Sequence, residues 1–366
     1  MPPADTTGSR RILFVPVSGS GGAGEYYRAL ALARAMAGAY PQTQIMFVLD
    51  RHARYAAEAP FPVHLLDDSP TRDARSVVRC IERFKPHLIV FDNAGRVSQL
   101  RAARRIGAHT VYLSSRWKTR WKGFRLRRMR WLDQHWIIGP DFTNPPLNRW
   151  ERLKLKLYPR MRVRRFAVLS EPASCAKILE RFDVQPDGFV LVCPGGAGRF
   201  SDAPDSSGIF LAAAQRIAQH GSHKVLFVGA AANVTAQEGV QVIPSVRNAD
   251  LMLLARAARV CVLNGGSLVL QAMAEAAAAV AAPIAGDQQE RITRLAQRGA
   301  VIPAELDSES LVQNTIMLLR DDAARSALRS RATALGIRNA VEEATAALAA
   351  LLWPESRATE ARKADE

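Results

Sequence analysis

Two kinds of pattern alternate along the chain. Short, nearly continuous apolar runs are separated by longer stretches with apolar residues at helical spacing. In the first half the runs cover 12–17, 44–49, 87–91 and 110–113, with a weaker one at 63–66. Helical spacing fills 26–39, 74–84 and 98–106. In the second half the runs cover 189–193, 224–229, 240–243, 260–263 and 279–282, and the helical stretches 209–220, 248–257, 267–277 and 290–298. Strands apolar on both faces and separated by helices predict parallel sheets covered on both sides. Glu171-Pro172 and Gln185-Pro186-Asp187-Gly188 break the pattern and place a boundary between 170 and 187. Residues 321–350 read as one or two alanine-rich helices.

The expected architecture is α/β, two Rossmann-like parallel-sheet domains facing across a cleft. The first spans 1–170 and the second 187–335, followed by a terminal helix over 336–353 and a disordered tail over 354–366. A length of 366 residues with 48% apolar content suits two domains with real cores.

Charge changes this picture in one place. The chain carries 50 Lys and Arg against 34 Asp and Glu, a net +16. Residues 100–165 hold nineteen of the cations and only three acids, so that stretch accounts for the whole excess. Its densest part interleaves Arg116, Lys118, Arg120, Lys122, Arg125, Arg127, Arg128 and Arg130 with Trp117, Trp121, Phe124, Leu126, Met129 and Trp131. A second cluster, 149–165, alternates Leu153, Leu155 and Leu157 with Lys154 and Lys156. Cations among tryptophans suit an anionic membrane surface, where rings settle at headgroup level. Nucleic acid is the less favoured partner, and a solvated helix face is the plain alternative.

No run of about 20 apolar residues spans a bilayer, and no signal-peptide pattern is evident. Cys80, Cys175, Cys193 and Cys261 form no CxxC pair, which predicts a reducing compartment without disulfide or zinc. The seven histidines are scattered, so no metal site is expected. A cytoplasmic protein, peripheral on the inner face of the cell membrane, is the expectation.

Glycine turns carry the candidate chemistry. The first strand runs into Ser18-Gly19-Ser20-Gly21-Gly22-Ala23-Gly24-Glu25, where a helix begins. Gly21, Gly22 and Gly24 let a ligand approach the backbone, and a helix N-terminus favours an anion. Pro194-Gly195-Gly196-Ala197-Gly198 opens the second half in the same way. Glu25 is the first candidate for a general base, or a helix-dipole partner. Asp92, after the run 87–91, is the second, or a turn cap. Arg28 and Arg199 are candidate diphosphate ligands, or surface cations.

The stretch Asn264-Gly265-Gly266-Ser267-Leu268-Val269-Leu270-Gln271, then Pro283-Ile284-Ala285-Gly286-Asp287-Gln288-Gln289 and Gly299-Ala300, resembles the C-terminal domain of GT-B glycosyltransferases. It is most similar to family 28, which includes the lipid II-forming N-acetylglucosaminyltransferase. The resemblance implies that Gly265, Gly266 and Ser267 face the donor diphosphate, with Gly195 and Gly196 on the same side. Gln271 would stand where the family places a ribose-binding Glu, and Asp287, Gln288 and Gln289 would contact sugar hydroxyls. It further implies an acceptor loop at Gly95, Val97 and Ser98, a metal-independent inverting transfer, and no cofactor beyond a nucleotide-sugar substrate, with UDP expected.

The sequence departs from that pattern at three points. The family's Gly-Gly-His is absent, its ribose Glu is Gln271, and its Gly-x-Pro is Ala276-Ala277-Ala278. Gly24-Glu25-Tyr26-Tyr27-Arg28 and Leu88-Ile89-Val90-Phe91-Asp92-Asn93 also resemble the UDP-sugar hydrolase of pseudaminic acid synthesis. Transfer to a lipid-linked or glycolipid acceptor is the leading expectation. Nucleotide-sugar hydrolysis and a non-catalytic binding subunit are the alternatives.

Overall fold

The computed structural model describes residues 9–19, 23–173, 177–195, 206–220, 223–229 and 239–354. The chain divides into two compact units, 1–171 with 340–366, and 172–339.

The first unit is built on a seven-stranded sheet. Its strands are β1 (Arg11–Pro16), β2 (Gln44–Asp50), β3 (Val63–Leu66), β4 (Leu88–Asp92), β5 (His109–Ser114), β6 (Gln134–Ile138) and β7 (Arg162–Phe166). All pair in parallel, in the order β3-β2-β1-β4-β5-β6-β7. Alternate residues of β1 enter opposite cores: Ile12 and Phe14 one, Leu13 and Val15 the other. This double burial explains why the run is apolar throughout.

Two strands fall inside the basic stretch, where sequence pattern had indicated only a surface segment. β6 is fully buried, and β7, Arg-Val-Arg-Arg-Phe, is the edge strand, whose outer side tolerates cations. Asp92 also belongs to β4, one residue beyond the expected end of that strand, so it is a sheet residue and not a turn cap.

The terminal helix Val341–Leu352 returns to the first unit. It packs on the helix Gly24–Ala39, and Trp353 stacks on Tyr40 with ring centroids 4.7 Å apart. The helix Asp322–Ala334 before it stays in the second unit.

The second unit carries a six-stranded parallel sheet. Its strands are β8 (Phe189–Cys193), β9 (Lys224–Val228), β10 (Val240–Ile243), β11 (Val260–Asn264), β12 (Ala279–Ala282) and β13 (Ile302–Pro303), in the order β10-β9-β8-β11-β12-β13. Cys80, Cys193 and Cys261 are free and buried; Cys175 lies outside the described residues.

The helix expected over 267–277 ends early, at Ala274. The Ala276 N–H donates to the Met273 carbonyl and the Ala277 N–H to that of Ala272, with Ala276 at φ 55°. This is a Schellman closure whose left-handed position normally takes glycine. Alanine there works against its Cβ. Ala276→Gly is expected to raise unfolding stability by about 1 kcal/mol, read from the urea midpoint at constant slope.

Candidate functional site

In both sheets the strand order reverses once, between β1 and β4 and between β8 and β11. Ligands of open α/β sheets settle at the carboxyl ends of strands at such points. Among the described residues, Asp92 and Gly195, Gly265 and Gly266 fall at these ends.

In the first unit Pro16 is the register partner of Asp92 across β1 and β4. The helix Gly24–Ala39 leaves the β1 turn and sends Arg28 back onto Asp92. Arg28 Nε and Nη2 donate to the two carboxylate oxygens, each at 2.7 Å. Arg28 is 6% exposed and Asp92 0%. Burial raises the Asp92 carboxyl to about 6, although the facing guanidinium pulls it down. Arg28 is therefore committed to Asp92 and does not present a free guanidinium to a diphosphate. Both Asp92 oxygens are occupied, so Asp92 is placed to hold Arg28 and the helix.

Glu25, in the first turn of the same helix, is half-buried. Asn93 Nδ2 donates to Glu25 Oε1 at 2.8 Å. Asn93 stands at φ 55° directly after β4, a left-handed conformation that Asn tolerates better than most residues. Sequence reasoning did not assign Asn93; its one signal was an amide beside Asp92 at a strand end. Gly95 follows at φ 82°. Gly24 starts the helix, while Gly21 and Gly22 lie outside the described residues.

The second unit closes its reversal point with small residues and one amide. Asn264, the last residue of β11, donates from Nδ2 to the Pro194 carbonyl at 2.5 Å and accepts the Gly266 N–H at 2.6 Å. One side chain thereby ties both glycine turns together. Gly195 is at φ 88°, and a Cβ there would stand 1.9 Å from Asn264 Nδ2. A Cβ on Gly265 would stand 2.5 Å from Ile292 Cδ1, since the helix Gly286–Ala296 packs against it. Glycine is a steric requirement at both positions. Gly266 caps the helix Ser267–Ala274 without a side-chain hydrogen bond, and Ser267 is exposed beside it.

Two expected sugar ligands face inward. Gln271 is buried, its Oε1 accepting from Asn248 Nδ2 at 3.3 Å. Gln288 is buried too, its Oε1 accepting the Ile284 N–H at 3.0 Å. Both amides bind neighbouring elements of the fold, while Gln289 is exposed in the first turn of its helix. Asp287 follows Gly286 in that turn. Gly196 and Arg199 lie outside the described residues. Among the described residues no cluster of His, Cys, Asp or Glu has the make-up of a metal site.

Between β5 and β7 the basic stretch forms three short helices, Trp117–Gly123, Leu126–Met129 and Arg149–Leu157, on either side of β6. Arg120, counted among the surface cations, is fully buried. It donates to both Glu151 oxygens, at 3.0 and 2.6 Å, and to the Pro145 carbonyl at 2.5 Å. This pair locks the first helix to the third. Gly123 lies against buried His135, where a Cβ would be 2.3 Å from Cε1. Trp131 is half-buried and Arg128 partly covers the Tyr112 ring at 5.3 Å. Trp117, Trp121, Leu126, Trp150, Leu153 and Leu157 are exposed, with Trp150 at 60% and Leu157 at 66%. Arg116, Lys118, Lys122, Arg125, Arg127 and Arg130 are exposed among or beside them. No helix among the described residues is long and apolar enough to cross a membrane.

Solved structures share this fold. Arabidopsis thaliana UGT89C1 complexed with UDP matches with a TM-score of 0.63 at 13% identity, over 94% of this chain and 99% of that one. The calicheamicin glycosyltransferase CalG4 matches with 0.60 at 16% identity, over 94% and 98%. A putative UDP-N-acetylglucosamine 2-epimerase from Listeria monocytogenes matches with 0.59 at 10%, over 94% and 96%. The fold is thus GT-B. No family model and no curated protein matches the chain.

Removing one partner of the Arg28–Asp92 pair leaves a buried charge uncompensated. Arg28→Met is expected to cost about 3–5 kcal/mol of unfolding free energy, and Arg28→Met with Asp92→Leu to recover most of it. Denaturant titration of the two variants checks this.

Proposed function

We propose that the chain is a metal-independent, inverting glycosyltransferase using a nucleotide diphosphate sugar, with UDP the expected nucleotide. The observation that carries this reading is the pair of glycine turns joined through Asn264 at the reversal point of the second sheet. They bring bare backbone to the strand ends, and the helix Ser267–Ala274 directs its free N–H groups there, a suitable setting for a diphosphate. A UDP-bound structure among those sharing the fold agrees with this choice of donor.

Glu25 is the proposed base. It is the carboxylate at the first unit's reversal point that is not sequestered, and Asn93 orients it. In the transfer it takes the proton of an acceptor hydroxyl whose oxygen bonds to the anomeric carbon. The bond from that carbon to the diphosphate breaks, and the diphosphate leaves with the electron pair.

The acceptor is proposed to be lipid-linked or a glycolipid. Exposed tryptophans and leucines on helices pinned by Arg120–Glu151, with cations around them, suit a peripheral position on an anionic membrane. Such a position agrees with the expectation of a cytoplasmic enzyme at the inner membrane face.

Incubating the protein with several nucleotide sugars and a membrane extract as acceptor source tests the chemistry. Donor is expected to be consumed, and Glu25→Gln to lower kcat by roughly 10²–10⁴-fold with donor affinity unchanged. An unaltered rate in Glu25→Gln contradicts the assignment. Free sugar released without acceptor supports hydrolysis, and an untouched donor supports a binding subunit.

Vesicle sedimentation tests the membrane reading separately. The protein is expected to bind anionic vesicles and to leave them in high salt. The triple change Trp117→Ser, Trp121→Ser and Trp150→Ser should weaken binding about tenfold or more. Equal binding by the triple variant contradicts it.

A further inference from the structure

The cations of the basic stretch are not equivalent. Lys122, Arg125 and Arg128 are three residues apart, and the backbone between them turns with the same spacing. The Arg125 N–H donates to the Lys122 carbonyl at 3.4 Å, and the Arg128 N–H to that of Arg125 at 2.7 Å. Arg125, extended at φ −74° and ψ 127°, joins the two turns, so the three cations fall within one short bend of the chain. Arg96 joins them from the loop after β4, its Nε fixed by the Thr71 carbonyl at 2.8 Å.

Among the described residues none of these four cations is paired with a carboxylate. Glu151 is taken by Arg120, and Asp133 by Arg160 at 2.9 Å. Arg128 Nη1 is buried without a hydrogen-bond partner, while its guanidinium lies over the Tyr112 ring. Partial burial lowers the Lys122 ammonium below its ordinary range, and Arg128, Arg125 and Arg96 push it further down. Burial lowers Arg128 as well; the Tyr112 hydroxyl beside it works against this, and Arg125 and Arg96 work with it. Four mutually repelling cations, one with a desolvated donor, are relieved by a multiply charged anion bound among them. Arg127 and Arg130 stand outside this three-residue series; they are exposed, as Lys122 and Arg125 are, and Arg130 lies 4.6 Å from the Trp131 ring as Arg125 lies 4.2 Å from that of Trp121.

We propose that Arg96, Lys122, Arg125 and Arg128 form a discrete binding site for a phosphoryl group, best matched by a diphosphate. It lies where the chain leaves β4 and β5, the same strand ends that carry Asn93 and, through it, Glu25. Two or more guanidinium forks engage the non-bridging oxygens, and Lys122 supplies a further point charge. If the transferase reading holds, on which this role rests, the site anchors an acceptor through its phosphate. The tryptophan-bearing faces beside it would then meet the apolar part of the same molecule.

Calorimetric titration of the full-length protein with inorganic pyrophosphate tests the site. The variant Lys122→Gln with Arg125→Gln is expected to lose about tenfold or more in affinity. Arg127→Gln with Arg130→Gln removes equal charge from neighbouring exposed positions and is expected to change affinity less than about twofold. Any pyrophosphate bound at the glycine turns of the second unit is common to all three proteins and cancels in the comparison. A parallel arm uses phosphatidylcholine vesicles with and without phosphatidate. Selectivity between the two variants toward phosphatidate vesicles alone identifies a lipid headgroup as the source and supports the site. Selectivity toward pyrophosphate supports it for a soluble phosphate as well. Equal losses in both variants indicate diffuse attraction and overturn it, as does no binding in either arm. Selective binding in a protein without transferase activity leaves the site standing and removes only its acceptor role.

Discussion

The buried ion pair between Arg28 and Asp92 sets the geometry of the first unit's reversal point. Two charges withdrawn from water are costly, and only the doubly hydrogen-bonded arrangement offsets the loss. The pair fixes the first helix against β4 at the level where the β1 turn ends. Glu25, one turn earlier on that helix, and Asn93, one residue beyond Asp92, are brought together as a result. Without the pair, neither the height nor the rotation of the helix would be specified so closely, because its buried face is largely alanine and leucine.

The second unit reaches a similar end without charge. Asn264 spans two strands with one amide, and glycine at 195 and 265 leaves room for that amide and for Ile292. Steric exclusion does there what electrostatics does in the first unit. The contrast fits the division of labour proposed for the two units. A diphosphate needs bare backbone donors, whereas proton removal needs a carboxylate held near, but not inside, a buried charge network.

Much of the sheet architecture could be read from sequence because its strands are apolar on both faces. The runs at 12–17 and 87–91 became β1 and β4 within one or two residues. β6 and β7 escaped notice because they lie in a charge run. β6 is only five residues long, and β7 carries Arg162 exposed with Arg164 and Arg165 half-buried. That Glu25 stands in the first turn of a helix and that Gly195, Gly265 and Gly266 follow strand ends was also legible from spacing along the chain. The fates of Arg28, Gln271 and Gln288 were not. Arg28 and Gln271 depend on partners from other elements, 64 and 23 residues away, which no local pattern records, while Gln288 turns back onto Ile284 just ahead of its own helix. The basic stretch misled in a similar way: Arg120 reads as one more surface cation, yet Glu151 and two proline carbonyls enclose it.

The account rests most heavily on the glycine turn at the head of the helix Ser267–Ala274 receiving the donor diphosphate. Amide hydrogen exchange across residues 264–269, with and without UDP, addresses that contact directly. Slower exchange is expected at Ser267 and Leu268 when UDP is present, with Gly195 slowed as well. Unchanged exchange at these amides under saturating UDP would contradict it.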